Sequence, residues 1–347
     1  MIELKPLLTI GIISYNRPNE LKRTLDSIGL IPESVRVVVC DDASPKSTMI
    51  KEAISDYLSN AKVNFIFNDR NLGYDRNLYQ VIEKTATPYV LLLGDDDYLE
   101  AGGLFNILEY LSKCDKFDCG FVRFATYLDR NIAYHRNYET SYYLSGGDAL
   151  KNGSFIYNSI LFSGLIFQRD SVIRHTEIFS RYFSSIYIQV AIFGLVSLKY
   201  GCHVISGPGI IAGGDGENGF GLNEASSGDD SDLANRKSID SNLVYHERLF
   251  SVLRDLSAIS GFDYFKVFRS EYRIRAVKHM LIARLINRTV YLRYLKTLFS
   301  LDKPNSLFML MGGGIFYILP KFIVKYVLFF GEVFIYRRRK ASEIFLK

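Results

Sequence analysis

The stretch YVLLLGDDD, Tyr89 to Asp97, decides how this chain folds. Five apolar residues run without a break, a glycine follows, and then three carboxylates stand in a row. A short continuous apolar run bounded by polar turn residues is the pattern of a strand buried on both faces. Three runs of the same kind lie upstream: LLTIGII (Leu7 to Ile13), VRVVVC (Val35 to Cys40) and VNFIF (Val63 to Phe67). Between them the apolar period changes to that of a helix, at Leu21, Leu25 and Ile28, at Ile50, Ala53, Ile54, Tyr57 and Leu58, and at Leu78, Val81 and Ile82. Asn16, with Pro18 just beyond it, is expected to open the first helix. Strand, helix and strand repeated with short connections predict right-handed crossovers and an α/β fold, a Rossmann-like, mostly parallel sheet with helices on both faces. Open parallel sheets bind ligands at the carboxyl ends of their strands. That rule singles out Ser14 to Arg17, Asp41 to Ser44, Asn68 to Asn77 and Asp95 to Asp97.

Further along, Phe121 to Tyr127, Ser154 to Phe167 and His203 to Ile210 read as strands, and Ile186 to Tyr200 as a buried helix. A loop rich in Gly, Asp, Asn and Ser spans Gly213 to Asp232, and from Leu233 the pattern is helical and basic. The organisation expected is therefore 1–115, 116–232 and 233–347. With 347 residues, 48% of them apolar and 23% charged, the chain is globular, which excludes a disordered chain or a small disulfide scaffold. Its four cysteines have neither CxxC spacing nor clustered histidines, so zinc sites are not expected. Met1 to Pro6 and the short apolar run after it do not read as a secretory leader, and the reducing cytoplasm is the expected compartment.

The net charge of +5 hides an asymmetry: residues 236–347 hold 21 Lys and Arg against 8 Asp and Glu, a net of +13, which leaves −8 for residues 1–235. A basic, aromatic rear half predicts an anionic partner surface. Pro304 to Pro320 is uncharged, but it is too short and glycine-broken for a membrane span, which wants about 20 apolar residues. Phe322, Ile323, Tyr326, Phe329, Phe330 and Phe334, ending in Arg337, Arg338, Arg339 and Lys340, fit helices lying on the inner membrane surface. A core-packing tail with a solvated basic end is the alternative. Nucleic acid is not expected as the partner, since no reader motif accompanies the charge.

Three adjacent carboxylates at a sheet edge repel one another unless something cationic neutralises them. Hard divalent ions take carboxylate oxygens and keep positions for phosphate oxygens. An acidic helix start, favoured by the helix dipole, is the other explanation of the cluster. Asp41 and Asp42 end the second strand, and Asn68, Asp69, Arg70, Asn71, Gly73, Asp75, Arg76 and Asn77 crowd around a glycine after the third. Three such clusters after parallel strands point to one binding edge.

Together SYNRP (Ser14 to Pro18), VCDDAS (Val39 to Ser44), NLGYDRN (Asn71 to Asn77) and LLGDDDYL (Leu92 to Leu99) resemble glycosyltransferase family 2 over about the first 110 residues. SIYIQ (Ser185 to Gln189), the helix ending at Gly201, and GGDGENG resemble the abequosyltransferase-like branch of bacterial O-antigen and capsule transferases. The resemblance implies a GT-A fold, a nucleotide-sugar donor, Mg²⁺ or Mn²⁺, and hexosyl or deoxyhexosyl transfer to a lipid-linked saccharide at the cytoplasmic membrane face. Residues 1–115 would then hold the donor and 116–232 the acceptor. By the same resemblance Asp42 contacts the nucleoside with Asp41 beside it, and Tyr15 to Arg17 line the base pocket. Arg76 meets the diphosphate or donor sugar, and Asn71 and Gly73 belong to the nucleotide- and donor-binding set. Asp96 is the metal ligand, Asp97 binds metal-bound water or sugar, and Asp95 joins the donor set, because Gly94 stands where the family often has its first aspartate. Many members draw the general base from an ED pair near Gln189, which this chain lacks. Asp215 is the first substitute, followed by Glu217 and Asp97.

A sugar nucleotidyltransferase would show a Gly-rich basic loop where SYNRP stands. A non-catalytic nucleotide-sugar-binding or scaffold protein is the remaining alternative, resting on the missing ED pair. Gly214, Gly216 and Gly219 satisfy GxGxxG, but no helix pattern follows, so a dinucleotide site is not expected; a loop closing over the substrates and an ordinary flexible connector are the two readings left.

Overall fold

The structure is a computed structural model, and it describes residues 5–128, 131–151, 153–213, 231–301 and 314–327. Contact density divides the chain into two compact units, 1–219 with 255–267, and 220–254 with 268–347.

The first unit opens with β1 (Leu8–Ser14), α1 (Pro18–Ile28), β2 (Val35–Asp41), α2 (Ser47–Ala53), α3 (Ser55–Leu58), β3 (Val63–Phe67), α4 (Tyr74–Lys84) and β4 (Tyr89–Gly94). The four strands pair in parallel in the order β3-β2-β1-β4, within a residue of where the apolar runs place them. Even-numbered side chains of β1, Leu8, Ile10 and Ile12, join Leu21, Leu25 and Ile28 of α1 in one buried cluster with Val37, Val39, Leu91 and Leu93. The opposite face takes α4 so closely that a Cβ on Gly11 would stand 2.1 Å from the Val81 side chain. Glycine at that strand position is a packing requirement.

Beyond β4 come β5 (Asp97–Leu99), α5 (Gly103–Lys113), β6 (Cys119–Leu128), β7 (Asn131–Arg136), β8 (Tyr142–Leu144), α6 (Gly146–Lys151), α7 (Gly153–Asn158), β9 (Leu165–Gln168), α8 (Arg169–Ile173), α9 (Thr176–Phe179), α10 (Ile188–Tyr200) and β10 (Cys202–Ala212). The strands extend the sheet through β9, β6, β10 and β5, with β7 on β6 and β8 on β10. The long β6–β10 ladder is again parallel, and the short β4–β9, β6–β9 and β10–β5 ladders are antiparallel. This is the mixed α/β architecture of a GT-A fold.

Two local expectations change. Ser154 to Phe167 is not one strand: α7 buries Phe155 and Ile156, and only Leu165–Gln168 pairs in the sheet. Gly164, at φ +83°, makes the turn between them. Asn16 does not cap α1. It is left-handed (φ +63°), and its side chain accepts from Lys46 N at 3.2 Å, leaving Arg17 at the helix start.

The buried helix α10 is held at its start by a residue from α4. Asp75 is 2% exposed and accepts from the backbone N–H groups of Ile186 (2.6 Å) and Ile188 (3.1 Å). Ile186 is left-handed at φ +63°, which is a strained position for a β-branched residue. The carboxylate satisfies donors that a buried helix start otherwise leaves open, and its charge suits the helix dipole. The segment 255–267 belongs to the same unit: Tyr264 donates to Gly194 O (3.0 Å) inside α10, and Tyr182 to Asp255 (2.6 Å).

The second unit holds most of α11 (Ser231–Ser260) and α12 (Tyr264–Ile286), with α13 (Arg288–Leu301) and short helices at 314–318 and 321–327. Phe250, Tyr272, Met280, Tyr291, Tyr294 and Leu298 are buried in it, and Phe250 meets Tyr272 edge-on at 4.5 Å. Among the described residues no helix is long and apolar enough to cross a membrane.

Asp75→Ala strands two buried N–H groups and releases the strained turn, so it is expected to cost about 2–4 kcal/mol in urea unfolding, with Asp75→Asn losing less. Equal stability of wild type and Asp75→Ala would contradict this role.

Candidate active site

The parallel register sets the geometry. Ile13 lies beside Gly94 and Ser14 beside Asp41, so the turns after β1, β2 and β4 emerge together. Asn16 N donates to Ser44 Oγ at 2.7 Å, tying the first turn to the second. Tyr15 N donates to Asp95 Oδ2 at 3.2 Å, tying it to the third. Ala43, like Asn16, is left-handed, and the two turns hold backbone strain of a kind concentrated at binding sites.

The three carboxylates face different ways. Asp95 is buried and meets Arg17 Nη1 at 2.8 Å. Asp97 is buried on the other side, where Ser163 Oγ donates to Oδ2 and Gly213 N donates to Oδ1 at 3.3 Å. Asp96 keeps 28% of its side chain exposed and touches the same Arg17 Nη1 at 2.9 Å. One guanidinium nitrogen therefore bridges two of the three aspartates. Their backbone is held from α1: Thr24 Oγ1 lies 2.8 Å from Asp95 O and 2.6 Å from Asp97 O, and Arg23 donates to Asp96 O at 2.9 Å. Burial pushes the Asp95 carboxyl up to about 6 and the Asp97 carboxyl up to about 7, with Asp96 adding repulsion and hydrogen bonds opposing the rise.

Ser163 was not legible as a site residue. Its Oγ also accepts from Gly94 N at 2.9 Å, and its carbonyl accepts from Arg136, which is fully buried between the rings of Phe121 and Phe124. A Cβ on Gly94 would stand 3.1–3.2 Å from Asp96, Asp97 and Ser163 Oγ. The glycine leaves room for this packing, and the carboxylates begin one residue later. Thr24 had a weak signal, as a polar residue on the buried Leu21–Leu25–Ile28 face.

Asp41 and Asp42 organise the other end. Asp41 accepts from Ser44 through both N–H (3.0 Å) and hydroxyl, and burial raises its carboxyl above the usual range. Asp42 accepts from Leu72 N (2.7 Å), Gly73 N (2.9 Å) and Asn68 Nδ2 (3.2 Å), and so fixes the turn before α4. Asn71 Oδ1 accepts from the same Gly73 N at 2.9 Å, and Gly73, at φ +81°, needs the freedom of glycine. Arg76 pairs with Glu83 at 2.6 Å and lies over the Phe183 ring, so reaching a phosphate would require it to leave that pair. Gln189 is buried, donates to Ile160 O at 2.9 Å, and its Oε1 accepts no hydrogen bond. Asp215 and Glu217 lie outside the described residues.

Residues 9–179 match the family model described as Glycosyl transferase family 2, and every one of these strand-end clusters falls inside that segment. The class that fold and sequence define is thus a GT-A domain with the sequence pattern of family 2. Among solved structures, S. aureus TarS 1-349 aligns with a TM-score of 0.50 at 14% identity, covering 90% of this chain and 89% of that one. The same protein in complex with UDP aligns at 15% identity and in complex with UDP-GlcNAc at 14%, with the same TM-score and coverage. At that identity the likeness is one of fold. No curated protein matches the chain in sequence.

An aspartate whose folded-state pKa lies above its unfolded value binds its proton more tightly when folded. Stability is then greatest below the unfolded value near 4 and is lost as pH rises through the folded value near 6–7. Without divalent ions, wild type is expected to lose stability relative to Asp97→Asn between pH 4 and 7 in paired thermal unfolding series. Parallel curves for the two proteins would contradict the burial of a charge at Asp97.

Proposed function

We propose that this protein is a metal-dependent glycosyltransferase that moves a hexosyl or deoxyhexosyl unit from a nucleotide-sugar donor to a lipid-linked saccharide. It would work at the cytoplasmic membrane face, in bacterial surface polysaccharide synthesis of the O-antigen or capsule kind. The observation that carries the reading is the convergence of the β1, β2 and β4 turns on three adjacent aspartates, two of which are bridged by Arg17. The match of residues 9–179 to glycosyl transferase family 2 supports the reaction class. TarS 1-349, whose fold this chain shares, has been seen with UDP and UDP-GlcNAc, which makes uridine diphosphate the first nucleotide to try.

Among the described residues no three ligating side chains converge as a metal cage, so a hard divalent ion, Mg²⁺ or Mn²⁺, would rest on the exposed carboxylate with the substrate's own oxygens. Such an ion needs few protein ligands when phosphate oxygens and water complete its shell. Asp96 is the partly exposed carboxylate of the three, while Asp95 and Asp97 are engaged by Arg17 and Ser163. Asp96 would hold the ion, with Asp95 holding Arg17 beside it. The ion supplies charge neutralisation for the departing diphosphate. Asp42 and the Tyr15–Arg17 turn would line the nucleoside pocket.

An inverting transfer also needs a base within reach of the acceptor hydroxyl. The buried Gln189 amide cannot accept a proton at neutral pH. Asp215 would be the first candidate base, with Glu217 and Asp97 behind it; Asp97 is buried and held by Ser163 Oγ and Gly213 N. The amide at position 189 is also the observation favouring the second reading, a non-catalytic nucleotide-sugar-binding protein of the same pathway.

Thermal unfolding with UDP, GDP, CDP and dTDP, each with and without Mn²⁺, tests the donor site. A nucleotide at a hundred times its dissociation constant adds about 2.7 kcal/mol to stability. One nucleotide is expected to raise Tm by several degrees only with Mn²⁺, and Asp96→Ala is expected to abolish the rise. No shift with any of the four would sink the assignment. A shift without hydrolysis or transfer of the matching nucleotide sugar would favour the second reading.

A further inference from the structure

The second unit carries an outward face that the donor site does not use. Helices 314–318 and 321–327 expose Ile315, Ile318, Phe322 and Tyr326, with Ile318 77%, Phe322 62% and Tyr326 64% open to solvent. Ile315 and Ile318 share one side of the first short helix, and Phe322 and Tyr326 share one side of the second. Lys321 and Lys325, also exposed, flank the last two.

Their orientation is fixed from the inner side. Arg284, 5% exposed, donates to Tyr317 O (3.3 Å) and Leu319 O (3.2 Å), capping the carbonyl end of the first short helix. The Tyr317 ring stacks on Tyr291, Arg288 lies over it, and Val324 is fully buried. The helix pair is thus anchored by one side and offers isoleucine, phenylalanine and tyrosine to the outside. Large apolar side chains held outward in this way mark an interaction surface rather than a scattered exposed residue.

Charge complementarity selects the occupant. From Lys303 to Gly331 the sequence has no acidic residue, and residues 236–347 carry a net of +13. Aromatic and branched side chains can enter the boundary between headgroups and acyl chains while lysines reach back to anionic headgroups. A bilayer rich in acidic phospholipid answers both features at once. Duplex nucleic acid would leave the isoleucines and phenylalanine unanswered.

We propose that residues 315–326 form an in-plane docking surface for an anionic lipid bilayer, with Ile315, Ile318, Phe322 and Tyr326 entering the interface and Lys321 and Lys325 binding headgroups. The purpose of the surface, presenting a lipid-linked acceptor, rests on the glycosyltransferase reading, but lipid binding is measured without nucleotide, so the two can fail separately.

The test is co-sedimentation of the full chain with phosphatidylglycerol-containing vesicles and with pure phosphatidylcholine vesicles. Wild type is expected to bind the anionic vesicles, and to bind less as salt shortens the screening length. Phe322→Ser with Tyr326→Ser should lower the partition coefficient at least about ten-fold. Lys325→Glu should lower it about five-fold or more. Leu30→Ser and Phe105→Ser, which remove exposed apolar side chains of the first unit, should leave it unchanged, as should the far-UV spectrum and Tm of all four variants. Equal binding to both vesicle types, or undiminished binding by the Phe322/Tyr326 variant, overturns the proposal. So does a wild-type dimer in light scattering that this variant dissociates, or retention on duplex DNA in place of vesicles.

Discussion

Everything at the binding edge depends on keeping three consecutive aspartates together where water is partly excluded. Coulomb repulsion between carboxylates a few ångströms apart, and the cost of burying each, would by themselves drive the β4 end open. The fold answers with donors drawn from separate elements. Arg17 comes from the β1 turn, Thr24 and Arg23 from α1, Ser163 from the turn before β9, and Gly213 from the end of β10. None of these is close to the aspartates in sequence. They meet because β1 pairs with β4 in parallel, β9 lies along the other side of β4, and β10 pairs with β5 at Asp97.

The same logic runs outward from the carboxylates. Ser44 joins Asp41 to the Asn16 backbone, and Asp42 gathers Leu72, Gly73 and Asn68, so the turns of the binding edge hold one another. Asp75 continues the chain of polar contacts to the start of α10. Buried polar networks of this kind rigidify when every member is satisfied. Arg17 has a particular place in it. Its guanidinium sits between Asp95 and Asp96 and pairs with both.

Much of this was legible in the sequence, and for a physical reason. Strands buried on both faces must be apolar throughout, so LLTIGII, VRVVVC and YVLLL could be placed within a residue, and their polar ends followed; VNFIF is instead the edge strand, with only Val63 buried, and its branched and aromatic residues marked it. The misread segment, Ser154 to Phe167, is aromatic and branched without alternation, and such a run does not distinguish a strand from a buried helix turn; Gly164 was the only internal hint of a break. Ser163 and Arg136 escaped because their partners lie some 27 to 69 residues away, across strands whose pairing no local pattern encodes. Asp75 was visible as part of a polar cluster, but its bond to a strained isoleucine 111 residues on was not. The anchored orientation of residues 314–327 likewise depends on Arg284, which reads in sequence as one more basic residue of a basic helix.

The most direct measurement is Mn²⁺ binding followed by the loss of the free-ion electron paramagnetic resonance signal, with and without UDP, on wild type and Asp96→Ala. The account predicts a single class of Mn²⁺ site in wild type that tightens at least about ten-fold when UDP is added and is missing from Asp96→Ala. Mn²⁺ binding that ignores UDP, or that survives loss of the Asp96 carboxylate, would contradict the claim that the end of β4 is where cation and diphosphate meet.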